Sequence, residues 1–253
     1  MRQPRFLESE MRMVLPLVLV GFLLAGCGQG AQRAQSAPAG VPSPAPVQSD
    51  SPPYPVGSPQ STAPAVENGM APVVRRIPTD KPYVFLTIDD GEIKDPAAVE
   101  LAKRGWPTLF LNEKYFKDDA AYFTSLNAPV EDHTVDHPNL RGKPYEFQRE
   151  EICDDADAEQ RAFGVRPTLF RPPFGNYDDN TRRAAAACGL KAVVLWDETI
   201  NNGAMQFQVG HHLRPGDIVL MHFRKTFTED YQAFLDQVKA DGLTPARLPD
   251  FLS

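Results

Sequence analysis

From Tyr83 onward, short apolar runs alternate with longer stretches of helical pattern. The apolar runs predict six strands, at Tyr83–Ile88, Thr108–Leu111, Pro129–Glu131, Thr168–Phe170, Lys191–Leu195 and Asp217–Met221. The intervening patterns predict a helix beginning at Asp95-Pro96 and further helices at Tyr115–Leu126, Pro144–Phe163, Asp178–Cys188, Met205–Leu213 and Thr228–Asp241. Alternating strands and helices imply parallel strands joined by crossover helices, and therefore an α/β sheet or barrel.

Polar side chains stand directly after most of these predicted strands. They are Asp89 with Asp90, His133, Arg171, Asp197 and His222. In α/β barrels the active site is built from residues at the carboxyl ends of the strands. The sequence therefore predicts that these side chains meet at one mouth, which a random scatter of surface charge does not explain.

A metal site is predicted from His133 and His137, which are four residues apart in His-Thr-Val-Asp-His-Pro. If the turn after the strand is helical, imidazoles at this spacing face one point. Imidazole suits zinc, cobalt or nickel, and a carboxylate is a compatible third ligand. Taken alone, the pair is equally typical of solvated or core histidines.

The carboxylate ligand is expected within Thr87-Ile88-Asp89-Asp90-Gly91. Adjacent aspartates after a strand point in different directions, so one can bind a metal while the other does something else. The alternative is an ordinary Asp-Asp-Gly turn. Arg171 and His222 also have alternatives, as a surface-loop arginine and a hydrogen-bonded core histidine.

The N-terminus has the pattern of a targeting segment. Arg2, Arg5 and Arg12 precede the apolar stretch Met13–Leu24, which is too short for a comfortable membrane span. The stretch ends in Leu24-Ala25-Gly26-Cys27, which resembles a bacterial lipobox. We expect residues 1–27 to be a lipoprotein signal peptide, with Cys27 lipidated and the protein held on the outer face of the bacterial cell membrane. A plain signal peptide or a short anchor is the alternative.

Residues 28–80 are rich in Pro, Ala, Ser, Gly and Gln and contain few large apolar residues. Such a segment buries too little surface to offset its ordering entropy, so we expect a disordered linker before a catalytic domain at residues 81–253. The net charge of −7 argues against a nucleic-acid partner. Cys153 and Cys188 would reach an oxidising compartment, where a disulfide and two free thiols both remain open.

Four segments, taken together, resemble the motifs of the polysaccharide deacetylase (NodB homology) family. They are Thr87–Gly91, His133–Pro138, Phe170–Gly175 and Leu220–His222, in the family's order. The resemblance runs from about Lys81 to the C-terminus and implies a distorted (β/α) barrel. With the lipobox, it is typical of a bacterial lipoprotein member of that family.

The resemblance implies a division of labour among the charged residues. Asp89 matches the general base that activates water, and Asp90 matches the carboxylate ligand of the metal, with His133 and His137. Arg171 matches an arginine that positions the base. The metal is expected to be zinc, with cobalt or nickel as alternatives.

The resemblance also implies substrate contacts. His222 matches the general acid that protonates the leaving amine, and Leu220 matches a residue of the acetyl-methyl pocket. Pro173 and Phe174 stand where the family binds substrate, and the Phe174 N–H matches a donor to the oxyanion. Trp196 is expected to wall the acetyl pocket or to fill core.

The match weakens after the fifth predicted strand. The family's Asp-x-x-Asp-Trp-like motif, which holds the arginine, is replaced by Leu195–Asn202, with the leading tryptophan but not the closing pair. Asp197 or Glu198 is the expected partner of Arg171. This departure leaves the predicted metal site intact but puts the tuning of the base in doubt.

The expected function is that of a monomeric, metal-dependent hydrolase acting on carbon–nitrogen bonds in linear amides. It would remove N-acetyl groups from an acetylated glycan, either peptidoglycan or a chitin-like polymer. An O-acetyl esterase on the same scaffold and a non-catalytic lipoprotein that binds the cell wall are the alternatives.

Overall fold

The structure is a computed structural model that describes residues 63–252. The predicted signal peptide, the lipidation site Cys27 and most of the predicted linker lie outside the described residues. Between residues 63 and 252, no helix combines the length and the apolar character that crossing a membrane requires.

The described residues contain a sheet of ten strands. In chain order the strands are β1 Val73–Val74, β2 Tyr83–Asp90, β3 Thr108–Leu111, β4 Val130–Asp132, β5 Leu169–Phe170, β6 Ala192–Val194, β7 Glu198–Asn201, β8 Ala204–Phe207, β9 Ile218–His222 and β10 Thr244–Pro245. Their order in the sheet is β1-β6-β5-β4-β3-β2-β9-β7-β8, with β10 beside the start of β2. Every pair is parallel except the β7–β8 hairpin.

Helices follow most of the parallel strands. They are α1 Ala98–Gly105, α2 Glu113–Phe116, α3 Ala120–Ser125, α4 Tyr145–Phe163, α5 Asp179–Ala187 and α6 Phe227–Ala240, with short 3₁₀ turns at Pro173–Gly175 and Leu248–Phe251. This is the crossover arrangement predicted from the alternating pattern.

Strand β2 crosses the centre of the fold, and its side chains alternate between two hydrophobic clusters. Leu86 and Ile88 pack with α1 and α6 in one cluster. Phe85 packs with Phe110 of β3 and Ile218 of β9 in the other. Because alternate residues of a strand point to opposite faces, Thr87 and Asp89 share the face of Phe85. An aspartate is thereby placed at the end of an otherwise apolar interior.

Each of the six predicted strands matches an observed strand to within two residues at either end. Predicted helix Tyr115–Leu126 is interrupted between α2 and α3. Predicted helix Met205–Leu213 is wrong, because residues 204–207 form β8. The reason is the Asn202-Gly203 turn, whose φ angles of 52° and 70° suit the two-residue turn of a tight hairpin. Residues 208–213, which include His211 and His212, are not helical.

The folded domain begins earlier than the predicted boundary at residue 81. Val73 and Val74 pair with Val193 and Val194 of β6, and Ile77 is 1% exposed. The predicted linker at 28–80 therefore overlaps an edge strand at its C-terminal end. The proline-rich composition of this region led to its assignment as linker. Proline is tolerated at the edge of a sheet, so the composition does not exclude an edge strand here.

A disulfide joins Cys153 of α4 to Cys188 at the end of α5, with the two Cα atoms 5.1 Å apart. The alternative that the sequence left open is thus resolved in favour of a bridge. The bond ties two helices that pack side by side over the sheet.

Candidate metal and catalytic site

Asp90, His133 and His137 converge beyond the carboxyl ends of β2 and β4. The Asp90 Oδ1 atom lies 3.5 Å from His133 Nε2 and 3.4 Å from His137 Nε2. Ligands about 2.0–2.2 Å from a shared tetrahedral zinc ion stand roughly 3.3–3.6 Å apart, so these separations suit one ion. Asp90 Oδ1 is also buried without a hydrogen-bond partner in the described part of the chain. The donor set and the partnerless oxygen both fit a divalent metal.

His133 is oriented by a hydrogen bond on the far side of its ring. Its Nδ1 lies 2.7 Å from the carbonyl oxygen of Arg171, which can only accept. Nδ1 therefore carries the proton, and Nε2 faces Asp90 as the atom available to a metal. The bond fixes both the tautomer and the ring plane.

The electrostatics of the group also favour a cation. Burial would raise the pKa of Asp90, but the close approach of His133 and the charges of the nearby imidazoles lower it to about 2. Burial would lower the pKa of His133, but the charges of Asp89 and Asp90 raise it. Burial, together with the charge of His133, lowers the pKa of His137 to about 4. The two aspartates thus stabilise positive charge at this point, and His137 keeps a free electron pair over the physiological range.

The backbone around these ligands is strained. Asp90, Thr134, His137 and Phe174 have φ angles of 78°, 74°, 59° and 61°. Left-handed backbone is uncommon outside glycine, and such residues cluster at functional sites. Thr134 Oγ1 accepts a hydrogen bond from the His137 N–H at 3.1 Å, which helps to hold this turn. The turn is therefore not helical, although it brings the two imidazoles together as predicted.

Helix α4 anchors the histidine segment through two acidic residues. Asp155 is fully buried, and its carboxylate accepts from the His133 N–H at 3.1 Å and from the Glu113 N–H at 2.8 Å. The carbonyl oxygen of Glu151 accepts from the Val135 N–H, and its carboxylate accepts from the Asp136 N–H, both at 3.1 Å. Neither anchor was predicted from the sequence. The available indication was Asp155, an acid on the buried face of α4.

Asp89 is braced by Arg171, as the resemblance implied. The Arg171 Nη1 atom lies 2.7 Å from both Asp89 Oδ1 and Thr87 Oγ1. The other oxygen, Asp89 Oδ2, lies 3.7 Å from His133 Nε2 and so faces the metal ligands. Arg171 therefore holds one oxygen of Asp89, while the other oxygen faces the candidate metal ligands.

Aromatic faces, Thr87 and the Val194 carbonyl surround the Arg171 guanidinium. Its central carbon lies 4.3 Å from the centre of the Phe110 ring and 5.5 Å from that of Trp196. The Nε donates to the Val194 carbonyl at 3.4 Å. Thr87 was not singled out from the sequence, although it opens the first motif.

The expectation that Asp197 orients Arg171 is wrong. The Asp197 carboxylate instead faces Arg214, with its Oδ2 3.9 Å from Arg214 Nη2. Glu198 does not take the role either, because its carboxylate accepts from the Gln208 N–H at 3.0 Å within the hairpin. The chain turns into β7 at this point, which carries both acids away from the guanidinium.

His222 ends β9 and stands in register beside Asp89 of β2. Burial lowers the pKa of His222, and the charges of Asp89 and Asp90 offset this only partly. In residues 63–252 the acids that act on this imidazole are Asp89 and Asp90. Leu220, two residues earlier on β9, is 4% exposed.

The substrate-binding residues implied by the resemblance lie at the same mouth. Phe174 is 63% exposed, and the centre of its ring is 4.7 Å from that of His137. Pro173 is buried beneath it. Trp196 packs against the next residue, where a Cβ on Gly175 would lie 3.0 Å from the indole ring. An exposed aromatic ring beside the candidate metal-binding residues can pack against a bound molecule.

The sequence profile described as "Polysaccharide deacetylase" matches residues 76–193. The matched segment contains Asp89, Asp90, His133, His137 and Arg171 and ends before Leu220 and His222. The roles expected of Leu220 and His222 are therefore supported by the geometry of β9 and by the Leu220–His222 motif, and not by this match.

Sequence relatives extend over more of the chain. An uncharacterised protein of Streptomyces coelicolor is 41% identical over 194 residues, 72% of this chain and 78% of its own length. A bifunctional xylanase/xylan deacetylase of Cellvibrio japonicus is 30% identical over 66% of this chain but only 27% of its own length. A peptidoglycan-N-acetylglucosamine deacetylase of Bacillus cereus is 25% identical over 57% of each chain.

Among solved structures, BA3943 of Bacillus anthracis superposes with a TM-score of 0.62 at 20% identity, covering 71% of this chain and 68% of that one. It is described as a pseudoenzyme of the CE4 family. At this identity the likeness concerns the fold, and it confirms the predicted distorted (β/α) barrel. The sheet curls around its interior without pairing β1 to β8.

Proposed function

The chain belongs to the polysaccharide deacetylase family, and we propose that it is a metal-dependent hydrolase that removes N-acetyl groups from an amino-sugar polymer outside a bacterial membrane. One observation carries the proposal. Asp90, His133 and His137 share one point in space, while Asp89 beside them keeps a free oxygen and an arginine partner. This is the arrangement that amide hydrolysis needs, because an amide is a poor electrophile.

Asp90, His133 and His137 would hold the ion, and zinc suits two imidazoles and a carboxylate. A divalent metal in this position supplies Lewis acidity and makes water a better nucleophile at neutral pH. The protein fixes the ligands in advance through the Arg171 carbonyl, Asp155 and the turn at Thr134. Little rearrangement is needed when the ion binds.

Asp89 is placed to accept a proton from the attacking water. Its Oδ1 is tied to Arg171 and its Oδ2 faces the ligand cluster, so the accepting atom and its direction are both set. A positioned general base contributes roughly 10²–10⁴ in rate.

His222 is placed to give a proton to the leaving nitrogen from the β9 side. In the absence of substrate, burial holds its pKa below the usual value, so an acid role requires the proton to be stabilised by Asp89, Asp90 and the bound substrate. The backbone N–H of Phe174 would donate to the oxyanion, and Leu220 and Trp196 would contact the acetyl methyl group. One oxyanion donor is typically worth on the order of 10²–10³ in rate.

O-acetyl ester hydrolysis is the alternative activity, favoured by the xylan deacetylase relative. The same base, acid and metal serve both reactions. We favour the amide because the peptidoglycan deacetylase relative acts on N-acetylglucosamine and because an exported, tethered enzyme meets the cell wall. A non-catalytic wall-binding role is less well supported, because Asp89, Asp90, His133, His137 and His222 are all present.

We further propose that Cys27 anchors the protein to the outer face of the cell membrane. The support is the apolar stretch ending in Leu-Ala-Gly-Cys. Incorporation of a labelled fatty acid by the full-length protein tests this, with Cys27→Ser as the control. Equal labelling of the two proteins would contradict it.

The proposed reaction is tested by acetate release after the metal is stripped with a chelator and zinc, cobalt or nickel is restored. The substrates are N-acetylglucosamine oligomers, peptidoglycan fragments and O-acetylated xylan. We expect metal-dependent release from the N-acetylated glycans. Release from xylan alone would favour the esterase, and metal binding without release from any substrate would favour the wall-binding protein.

A further inference from the structure

A polar cleft of about 560 Å³ opens beside the proposed active site. It is lined by Arg75, Arg141, Gly175, Tyr177, Asp178 and Asp179. These residues belong to the segments that follow β1, β4 and β5, so the cleft lies at the same end of the sheet as Asp89 and His133. No role was assigned to it from the sequence.

The cleft is joined to the active site through one short loop. Gly175 lines the cleft, and the ring of its neighbour Phe174 packs edge-to-face against that of His137. On the other wall, Arg75 Nη1 donates to the Trp196 carbonyl at 3.4 Å, and Trp196 packs on Gly175. A polymer that crosses the metal ligands can therefore continue along these residues.

Two cations of the cleft are available to a ligand. Arg75 and Arg141 are both exposed, and neither forms a salt bridge with any residue between 63 and 252. Within that range the Arg75 guanidinium makes one long hydrogen bond, and that of Arg141 makes none. The chain as a whole has a net charge of −7, so two unpaired arginines in one cleft are not a reflection of its composition.

The acids of the cleft do not neutralise these arginines directly. Asp178 caps α5, and its carboxylate accepts hydrogen bonds from the N–H groups of Thr181 and Gly142 and from Gln148. Asp179 is exposed and lies 3.9 Å from Arg182. Asp178 therefore stabilises the start of α5, and Asp179 pairs with Arg182 on the same helix.

We propose that this cleft is a subsite for a glycan that carries carboxylate groups, such as lactyl ether, peptide or uronic acid substituents. The inference rests on the proposed function and narrows its substrate class from acetylated glycans in general to acidic ones. The planar guanidinium matches the carboxylate fork, whereas an uncharged polymer such as chitin offers the arginines only the weaker hydrogen bonds of neutral oxygens. Tyr177 adds a ring and a hydroxyl to the wall of the cleft.

The test is calorimetric binding of two tetrasaccharides to the metal-stripped protein. One is the N-acetylglucosamine tetramer, and the other carries a lactyl carboxylate on alternate sugars. We expect tighter binding of the acidic tetramer, weakening with added salt. Arg75→Gln or Arg141→Gln should lower this affinity about fivefold, and the double variant about tenfold or more, with the neutral tetramer unaffected.

Arg161→Gln is the matched control, because Arg161 is an exposed arginine of α4 that does not line the cleft. Equal wild-type affinity for the two tetramers, or an equal loss in Arg161→Gln, would overturn the inference. Because binding is measured without metal, a failed deacetylase assay leaves this test intact. Conversely, turnover of acidic and neutral glycans with no effect of the arginine substitutions on either substrate would overturn the subsite alone.

Discussion

Two regions of the molecule meet at the active site and are built differently. The metal half, residues 83–193, holds Asp89 with Arg171 and holds His133 with the Arg171 carbonyl and Asp155. The acid half, residues 194–222, contributes His222, whose imidazole forms no hydrogen bond or salt bridge in the described part of the chain. The proposed base and the proposed metal ligands are thus positioned by the protein alone, whereas the proposed acid is left for the substrate to orient.

The largest expected effects distinguish a proposed metal ligand, His137, from the proposed base, Asp89. His137→Ala should lower metal affinity by more than about 100-fold, because loss of a ligand should exceed the cost of losing a neighbour that only orients one. Asp89→Asn should retain the metal and lose about 10²–10⁴ in turnover, because it removes a base but no ligand. Metal content after dialysis and acetate release measure the two quantities. Equal loss of metal in both variants would refute the division of labour.

His222→Gln tests the acid half in the same way. We expect a loss of about 10²–10⁴ in turnover with unchanged metal affinity, because the side chain lies outside the ligand set. His211→Gln is the control, since this histidine is exposed and has no assigned role. If His222→Gln released the metal as readily as His137→Ala, the separation of the two halves would fail.

The metal half was largely predictable from sequence. Parallel strands place whatever follows them at one edge, so Asp89, His133 and Arg171 could be brought together without knowing any distance. Two features escaped this logic. Asp155 acts from a helix that is distant in sequence, and the left-handed turn at Thr134 depends on tertiary contacts rather than on local propensity.

The acid half was predicted less well because its pattern was read with the wrong period. Residues 205–213 were interpreted as a helix, although Asn202-Gly203 is a strong hairpin turn. Asp197 or Glu198 was expected to hold Arg171 because both acids stand in the segment that replaces the family's motif. Asp197 faces Arg214, and the buried Glu198 accepts from the Gln208 N–H within the β7–β8 hairpin, so local departure from a motif changed the geometry as well as the residues.

Asp155→Asn sharpens the comparison at a distance from the ion. The two backbone N–H groups donate to different oxygens of Asp155, and an amide has only one oxygen, so the His133 segment should loosen. We expect metal affinity to fall about 10–100-fold, as for other residues that orient metal ligands. Asp154→Asn is the matched control, because this neighbouring acid on α4 is exposed. Unchanged metal affinity in Asp155→Asn would show that the segment holds itself.

Asp230→Ala is the counterpart for the acid half, because Asp230 of α6 contacts the hairpin of that half. Asp230 of α6 is 1% exposed and accepts from the Gly203 N–H of the hairpin turn at 2.6 Å and from the Thr226 hydroxyl at 2.8 Å. Its loss should lower the free energy of unfolding by about 1–2 kcal/mol and speed proteolysis at the hairpin. Metal affinity should not change. Asp236→Ala, an exposed acid on the same helix, controls for the charge.

The smallest expected effect concerns Glu159, which lies beneath the metal half on α4. It is fully buried, and neither oxygen has a hydrogen-bond partner in the described part of the chain. Burial, followed by the charges of Asp155 and Asp132, raises the pKa of this carboxyl well above its ordinary value of 4.5. A carboxyl with a higher pKa in the folded state takes up a proton on folding, so stability is full below pH 4.5 and is lost as pH rises toward the raised value.

Glu159→Gln removes this titration while keeping the shape of the side chain. The free energy of unfolding of the metal-stripped protein should therefore exceed that of the wild type by about 1 kcal/mol at pH 8 and match it near pH 4. Denaturant unfolding at both pH values measures the difference, with the exposed Glu150→Gln as control. A difference of the same size at both pH values would mean that Glu159 lowers the free energy of unfolding through its packing and not through its buried charge.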